Sequence, residues 1–396
     1  MLYLRLCIFR PGGIIKMEVY YRVNDYYPLG AEGSSAASSV RHRVDRVCRC
    51  LPDGSELKIY SIIKSRNVSI VKREKHNISN TQQCITYCVA SNFLGAILKG
   101  FISIFLMFYL IFKIMGRGKY VLIYNLLPAN ILVYILPTYI FPWILKKTIF
   151  QVEEIYSVYD FSFLKRFLTQ CSENFVFKKG HNFIVVNENV RNLIKRKDAN
   201  SIVDYGYNSR NGNTIKPSST PGNIIYTGRL DFVGGIEVLL QALTDLPTDI
   251  KNKLVITGNG GLKEHVVTCT NELGISYRGF LNESDYNSLL LDAKISINPL
   301  RSQCKFSFYS FPSKVLQYLE YGCVVISSGI SQPELEEYFA DELLTYENDD
   351  PVKLNSLIRE ANLLNFDKMT IINKYNVFME MKEHKLRSFF TTVLGG

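Results

Sequence analysis

Apolar runs alternate with amphipathic stretches along almost the whole chain. After Met17 the run EVYYRV predicts a strand and LGAEGSSAASS a loop of small residues. Val40, Val44, Val47 and Leu51 then recur at spacings of four, three and four, which predicts a helix. LKIYSII (Leu57–Ile63) predicts the next strand, and the polar, basic stretch running to Gln83 predicts loop or irregular structure. Then come an apolar helix on FISIFLMFYLIF (Phe101–Phe112), a buried-strand run KYVLIYN, and a helix broken by Pro137 and Pro142. A strand TIFQVEEIYS carrying Glu153 and Glu154 at its end, a helix around Phe161–Leu168 and a strand NFIVVNENV complete the first set.

The segment Tyr205–Asn223 is rich in Gly, Asn, Ser and Pro and has no apolar period, so it reads as a linker. A second and more regular set follows. Strands NIIYTG, KLVITG, ISYRGF, KISINPL and CVVISS alternate with helices GGIEVLLQAL, KEHVVTCTNEL, DYNSLLLDA and PSKVLQYLEY. The last amphipathic segment, Asn376–Leu394, offers Phe378, Met381, Leu386, Phe389 and Phe390 for packing. Such alternation predicts an α/β architecture of doubly wound parallel sheets with ligands at the C-terminal strand ends. A length of 396 residues suits two domains. The expected boundaries are a leader at 1–16, a first domain at 17–205, a linker at 206–222, a second domain at 223–375 and a final helix at 376–396. The leader is too charged for a secretion signal, because Arg5 and Arg10 split its apolar core, and Met17 is the expected start.

Charge divides the two halves. Residues 1–200 carry 28 Lys and Arg against 13 Asp and Glu, a balance of +15, and the remainder carries 18 against 23, a balance of −5. The basic half also holds the longest apolar runs, Phe101–Phe112 and Ile131–Leu145. Basic and apolar together point to an anionic membrane surface rather than a nucleic acid. Lys99 and Lys113 bracket the first run at a length short of a spanning helix, so a buried or interfacial helix is expected. The nine cysteines show no zinc spacing and read as reduced thiols of a cytoplasmic chain lying on the inner face of the plasma membrane. No metal cluster is legible, and no cofactor is expected.

FPSKVLQYLEYG (Phe311–Gly322) places Pro312 at the first turn of a short helix and Gly322 where a left-handed residue ends one. The open amides of such a helix, with the Ser313 hydroxyl and the Lys314 charge, suit an anion. Ser313, Gln317 and Glu320 share one helical face, which is available to follow a ligand. GRLDFVGG supplies Gly228 and Arg229 at a strand end, where a guanidinium can fork two phosphate oxygens. Gly258 and Gly260 in GNGG allow close backbone approach. Together these features point to a nucleoside diphosphate.

TGRLDFVGGIEVLLQAL, KLVITGNGG, YRGF, the strand ending Asn298-Pro299-Leu300, FPSKVLQYLEYGCVVISS and the following PEL, in this order, resemble the C-terminal domain of the retaining glycosyltransferases of family 4. The sub-group with Phe-Pro-Ser-Lys is typical of bacterial capsule, O-antigen and exopolysaccharide synthesis. The first half resembles the family's acceptor domain, with GAEGSSAA, including Gly30 and Gly33, at the N-terminal glycine loop and FQVEEIYS at a later strand. The resemblance implies a GT-B fold of two Rossmann-like domains facing a cleft, with the last helix crossing back to the first. It also implies a nucleotide-sugar donor held by Gly228, Arg229, Gly258, Gly260, Phe311, Pro312, Ser313, Lys314 and Gln317. A saccharide or lipid-linked acceptor would lie on the side of Gly30, Gly33 and Glu153, and transfer would retain configuration without a protein nucleophile. Arg229 and Lys314 are then expected to stabilise the departing diphosphate, and Glu154 to orient the acceptor hydroxyl.

Three positions depart from the family pattern. Gly234 stands where a lysine is common, and Tyr309 and Gln317 stand where a pair of glutamates is expected. A non-catalytic scaffold in a polysaccharide assembly complex is therefore a competing reading, and a sugar-nucleotide epimerase of the same fold is another. Among the five histidines, His181 is the one singled out for a test.

Overall fold

A computed structural model describes residues 17–26, 38–206, 218, 222–301, 304–329, 332–347 and 349–395, apart from the side chains of 38, 39 and 306. The 1–16 leader, Gly30 and Gly33, and nearly all of the 206–222 linker lie outside them.

The first domain is built from strands β1 (Glu18–Asn24), β2 (Glu56–Ser65), β3 (Val71–Asn77), β4 (Gln82–Ala90), β5 (Lys119–Tyr124), β6 (Thr148–Val152), β7 (Asn182–Val185) and β8 (Asn200–Val203). Its helices are α1 (Ser38–Cys50), α2 (Phe93–Lys113), α3 (Pro128–Ile140), α4 (Phe163–Lys179) and the single turn α5 (Glu188–Arg191). The sheet order is β3-β4-β2-β1-β5-β6-β7-β8, and every pairing is parallel except β3 with β4. The basic stretch expected as irregular thus contains a strand and the start of another. VKREKHN has no apolar face to announce it: β3 is an edge strand held by its backbone ladder to β4, and its charges keep that edge from pairing further. β8 was equally invisible as a four-residue closing strand.

The second domain comprises β9 (Asn223–Arg229), α6 (Ile236–Thr244), α7 (Thr248–Lys251), β10 (Leu254–Asn259), α8 (Lys263–Leu273), β11 (Ser276–Tyr277) and α9 (Glu283–Asp292). It continues with β12 (Ala293–Asn298), α10 (Lys305–Phe308), α11 (Ser313–Glu320), β13 (Val324–Ser328), α12 (Pro333–Tyr338), β14 (Leu343–Tyr346) and α13 (Pro351–Leu363). Its sheet, β11-β10-β9-β12-β13-β14, is wholly parallel. The chain reverses its winding direction between β9 and β12, which opens a crevice at their C-terminal ends.

The final helix, α14, runs from Lys368 to Gly395, eight residues earlier than the sequence placed its start. Its first part packs on the second domain through Ile371, Tyr375 and Phe378. Its last part enters the first domain's core, where Leu386, Phe390, Val393 and Leu394 join Val19, Val44, Val47 and Ile149. Each such buried side chain contributes about 1.5–3 kcal/mol, so this helix fastens the two domains. The join is reinforced at Tyr205, whose ring stacks on Phe311 (4.8 Å between centroids) and on Phe378 (6.2 Å). Glu334 accepts from Lys382 and Lys385 beside it.

α2 is longer than its uninterrupted apolar run. Asn92 caps it by accepting from the Gly95 amide, and Lys99, mid-helix, pairs with Asp25 at 3.1 Å. Its 21 residues have a mean hydropathy of 2.1 in the most apolar window, enough by length and composition to cross a membrane. One face, including Leu106, Met107, Leu110 and Ile111, is nevertheless buried in the domain core. Phe93, Phe101, Phe105, Phe108 and Phe112 are exposed on the other.

Candidate functional site

At the C-terminal ends of β9 and β10 lies a cavity of about 580 Å³ whose lining includes Thr227, Gly228, Arg229, Gly258, Asn259, Tyr286, Lys314 and Gln317. Two strand ends come together here because Gly258 carries no Cβ: one there (φ +143°) would lie 1.8 Å from the Gly228 carbonyl oxygen. Gly260 crowds the Leu230 backbone in the same way, at 2.4 Å, and shapes the loop from behind.

Lys314 points into this cavity from the first turn of α11. Its ammonium donates to the Thr227 carbonyl oxygen and, at 3.0 Å, to the Thr227 hydroxyl. An ammonium has three donors, so one remains for a ligand. Burial lowers its pKa to about 8, since the charged form has lost hydration. A bound anion would restore that charge's partner. The Thr227 hydroxyl also pairs with the buried Tyr318 hydroxyl at 2.7 Å, so the lysine's seat is fixed from the core.

Gln317 lines the same cavity, and its side-chain carbonyl accepts from the Tyr286 hydroxyl at 2.8 Å, which leaves its amide NH2 to offer a ligand. Tyr286 and Thr227 were not anticipated as site residues. Tyr286 lay in a helix read only for its apolar face, and nothing in the spacing tied it to Gln317.

Arg229 stands at the mouth with its side chain 75% exposed, paired with Asp231. Exposed pairs of this kind contribute little, so exchanging Asp231 for a phosphate costs little. Asp231 also accepts from the Gly234 amide at 2.8 Å, closing the turn after β9. That turn explains the absent lysine: a Cβ on Gly234 would sit 2.3 Å from the Arg229 carbonyl oxygen, and one on Gly235 1.6 Å from that of Pro299.

Several expected donor residues are elsewhere. Phe311 is buried against Tyr205 at the join of the domains, so its ring belongs to the packing and not to the cavity lining. Pro312 caps α11 without a side-chain bond, and neither it nor Ser313 lines the cavity. The helical face expected to follow a ligand gives Gln317 to the lining and is closed beyond it, because Glu320 is buried at 2% exposure. Asn187 of the first domain holds the approach to α11 by donating to the Phe308 and Ser310 carbonyls at 3.2 and 3.1 Å.

A second cavity, of about 1060 Å³, lies between the domains. Ser157, Val158, Tyr159, Asp160, Arg166 and Gln170 line it from the first domain, and Arg229, Val233, Cys304, Lys305, Phe308 and Tyr309 from the second. Arg229 thus borders both spaces. The loop carrying Ser157 to Asp160 is anchored by Glu173, which accepts from the Tyr156 and Ser157 amides at 2.7 and 3.2 Å, and by Asn125, whose amide donates to the Tyr156 hydroxyl at 3.1 Å.

The paired acids take different positions from those expected. Glu153 does not face the cleft: it is 2% exposed, accepts from Gln151 at 2.7 Å and lies 3.6 Å from the Arg43 guanidinium. Burial raises its carboxyl pKa while Arg43 opposes the rise. Glu154, the expected acceptor-orienting group, follows it and is bonded to the Tyr159 hydroxyl; of the two, only Tyr159 lines the cleft. His181 precedes β7, at the opposite strand end from the cleft, where it borders a small cavity with Lys179 and Arg196.

The comparisons can now be set beside this geometry. The family model of glycosyl transferases group 1 matches residues 221–361. A search of curated proteins finds no match. Among solved structures, the whole chain is similar to WaaG, a glycosyltransferase involved in lipopolysaccharide biosynthesis. The identity is 12%, the alignment covers 96% of this chain and 100% of that one, and the TM-score is 0.59. It is also similar to the trehalose-6-phosphate protein from E. coli bound with UDP-2-fluoro glucose (9% identity, 95% and 98% coverage, TM-score 0.62). A third is a sucrose-phosphate synthase from Thermosynechococcus elongatus (13% identity, 96% coverage of each chain, TM-score 0.57). The chain therefore carries a group 1 glycosyl transferase domain within a two-domain GT-B fold.

Proposed function

We propose that this protein transfers a sugar from a nucleoside diphosphate donor to a saccharide or lipid-linked saccharide at an anionic membrane surface, with retained configuration, in bacterial surface-polysaccharide synthesis. The observation that carries the donor side is the Lys314 ammonium. It is fixed by Thr227 at the rim of a crevice bordered by Arg229, with one donor left and a pKa of about 8. A solved relative by fold is described as bound with UDP-2-fluoro glucose, and the matched family model covers the domain that holds this crevice.

In this reading the donor diphosphate takes the third Lys314 donor and the Arg229 fork, while the NH2 of Gln317 reaches another oxygen of the nucleotide. Charge accumulating on the departing diphosphate is met by cations already in place, which is where such a site gains most of its rate. The sugar then lies toward Arg229, the point at which the donor crevice opens on the interdomain cavity, and the acceptor hydroxyl approaches from the Tyr159 side. The membrane contact is the apolar face of α2 with its neighbouring basic residues.

The test is thermal stabilisation by a panel of nucleoside diphosphates. At 100 times its dissociation constant a true ligand contributes about 2.7 kcal/mol. One nucleotide is expected to stabilise the wild type and to do so far less in Lys314→Ala. No stabilisation by any of them would move the scaffold reading ahead, and product formation from the matching nucleotide sugar separates a transferase from an epimerase.

A further inference from the structure

The lining of the donor crevice follows the order of the strands. Arg229 stands at the end of β9, where the space opens on the interdomain cavity. Gly258 and Asn259 follow at the end of β10, and Phe280 and Leu281 come from the connection between β11 and α9 at the sheet's edge. Phosphates belong at the Arg229 and Lys314 end, and the exposed Phe280 ring offers a nucleobase a flat face at the other. Gln317 lies one helical turn beyond Lys314 on α11, so it meets the part of a nucleotide that joins phosphate to base, the ribose.

What Gln317 presents there is decided by its partner. The Thr227 hydroxyl is taken by Lys314 at 3.0 Å and by Tyr318 at 2.7 Å, which leaves the Tyr286 proton for the Gln317 amide oxygen at 2.8 Å. With the oxygen turned to Tyr286, the NH2 faces the ligand, and a side chain only 8% exposed is held in that orientation. An NH2 donates and does not accept. A ribose hydroxyl is read strictly where a buried acceptor, above all a carboxylate, takes its proton and is left unpaired by the deoxy analogue. A donor in an open crevice is satisfied as well by the ribose ring oxygen, a phosphate oxygen or water.

We infer that this site does not read the ribose hydroxyls, so that the donors it takes include deoxyribonucleoside diphosphate sugars alongside the ribonucleotide forms. Gln317 is the residue that sets this breadth, and Tyr286 is the positioning residue that fixes the amide. The inference rests on the donor reading of the crevice and goes beyond it by naming which part of the nucleotide is left unread. Glu283, the carboxylate of the lining, stands one turn before Tyr286 on α9, toward the Phe280 end and away from Gln317.

The experiment is titration calorimetry on the full chain with UDP, GDP and ADP, each beside its 2′-deoxy and 3′-deoxy forms. For whichever base binds, both deoxy forms are expected within about fivefold of the ribonucleotide, the worth of one neutral hydrogen bond. Gln317→Glu replaces the donor by a charged acceptor. It should weaken every form through repulsion of the phosphates, yet open a ribonucleotide preference of at least about tenfold over one deoxy form. Tyr286→Phe frees the amide to turn its oxygen inward and should move the ratio the same way by about threefold. A role in packing alone would weaken all forms alike and leave that ratio where it was. A wild-type preference above fivefold for the ribonucleotide overturns the inference and gives the hydroxyl to Glu283. Unchanged ratios in both variants overturn it as well, because Gln317 would then face no ribose. Melting temperatures identify a variant that fails to fold, and the other variant then decides. Binding of no nucleoside diphosphate in any form removes the donor reading and this inference with it, whereas ribonucleotide binding with the deoxy forms rejected removes this inference alone.

Discussion

The two domains share a doubly wound plan and differ in what makes their sites. In the second, the donor crevice is built from backbone: glycines at 228, 234, 235, 258 and 260 bring strand ends and loops to distances no side chain would allow, and one lysine is seated on a threonine. In the first, the cleft wall is made of side chains on one anchored loop and one helix, and the outer surface is apolar and basic. A site fixed by backbone tolerates few substitutions. A site fixed by exposed side chains can be re-specified residue by residue, which under the proposed function suits a constant donor on the second domain and a variable acceptor on the first.

The largest expected effect strikes what holds the first domain together. Arg46 on α1 forks Asp204, beyond β8, with contacts of 2.9–3.1 Å, and both side chains are buried. Arg46→Ala leaves an unpaired carboxylate and should cost about 3–5 kcal/mol in urea unfolding. A change below 1 kcal/mol would mean that water reaches this pair. Next is Arg229→Ala. Its exposed side chain contributes little to folding, yet removal of a cation from the leaving-group site should cost about 2.7–4 kcal/mol of barrier, two to three orders of magnitude in turnover. A near-normal kcat would leave the departing charge to Lys314 alone.

The second domain's strand and helix pattern was legible because most of its elements are short apolar segments closed by glycine or proline, and Gly322 does take the left-handed conformation (φ +72°) expected of a helix end. Lys314 and Arg229 were legible for the same reason: they follow elements whose ends could be located. Phe311 was misplaced because an aromatic beside a phosphate-binding sequence reads equally well as a pocket wall and as packing. Only the fold brings Tyr205 and Phe378 against it. The Tyr286–Gln317 bond and the Asn187 clasp join residues 31 to 123 positions apart, and no local period records such distances. Glu153 failed differently: a strand-end acid reads as cleft-facing until the opposing Arg43 is known.

Smaller effects sharpen the contrast. Phe101→Ser with Phe105→Ser, at 67% and 71% exposure, should leave stability within about 0.5 kcal/mol while lowering binding to anionic liposomes by about tenfold for each ring. Unchanged liposome binding would remove α2 from the membrane contact. In the second domain, Gly234→Lys introduces the lysine that the resemblance led one to expect there, yet its Cβ must displace the Arg229 carbonyl. It should therefore lose roughly 1–3 kcal/mol of stability and gain no donor affinity. A tighter donor would show that the turn reopens.

The smallest effect is a titration. The Lys314 pKa of about 8 lies below the ordinary value of 10.5 because burial disfavours the charged form, so the free protein loses this charge as pH rises through 8. A bound diphosphate stabilises the ammonium and raises its pKa, so binding takes up a proton in the window above 8. Between pH 7 and 9, above the phosphate's own pKa near 6, donor affinity should fall by about tenfold, equivalent to about 1.4 kcal/mol. Lys314→Met should bind more weakly at pH 7 and show no such slope. A slope that survives in Lys314→Met belongs to another group, and the anion contacts of the donor crevice would then have to be assigned to Arg229 and the backbone alone.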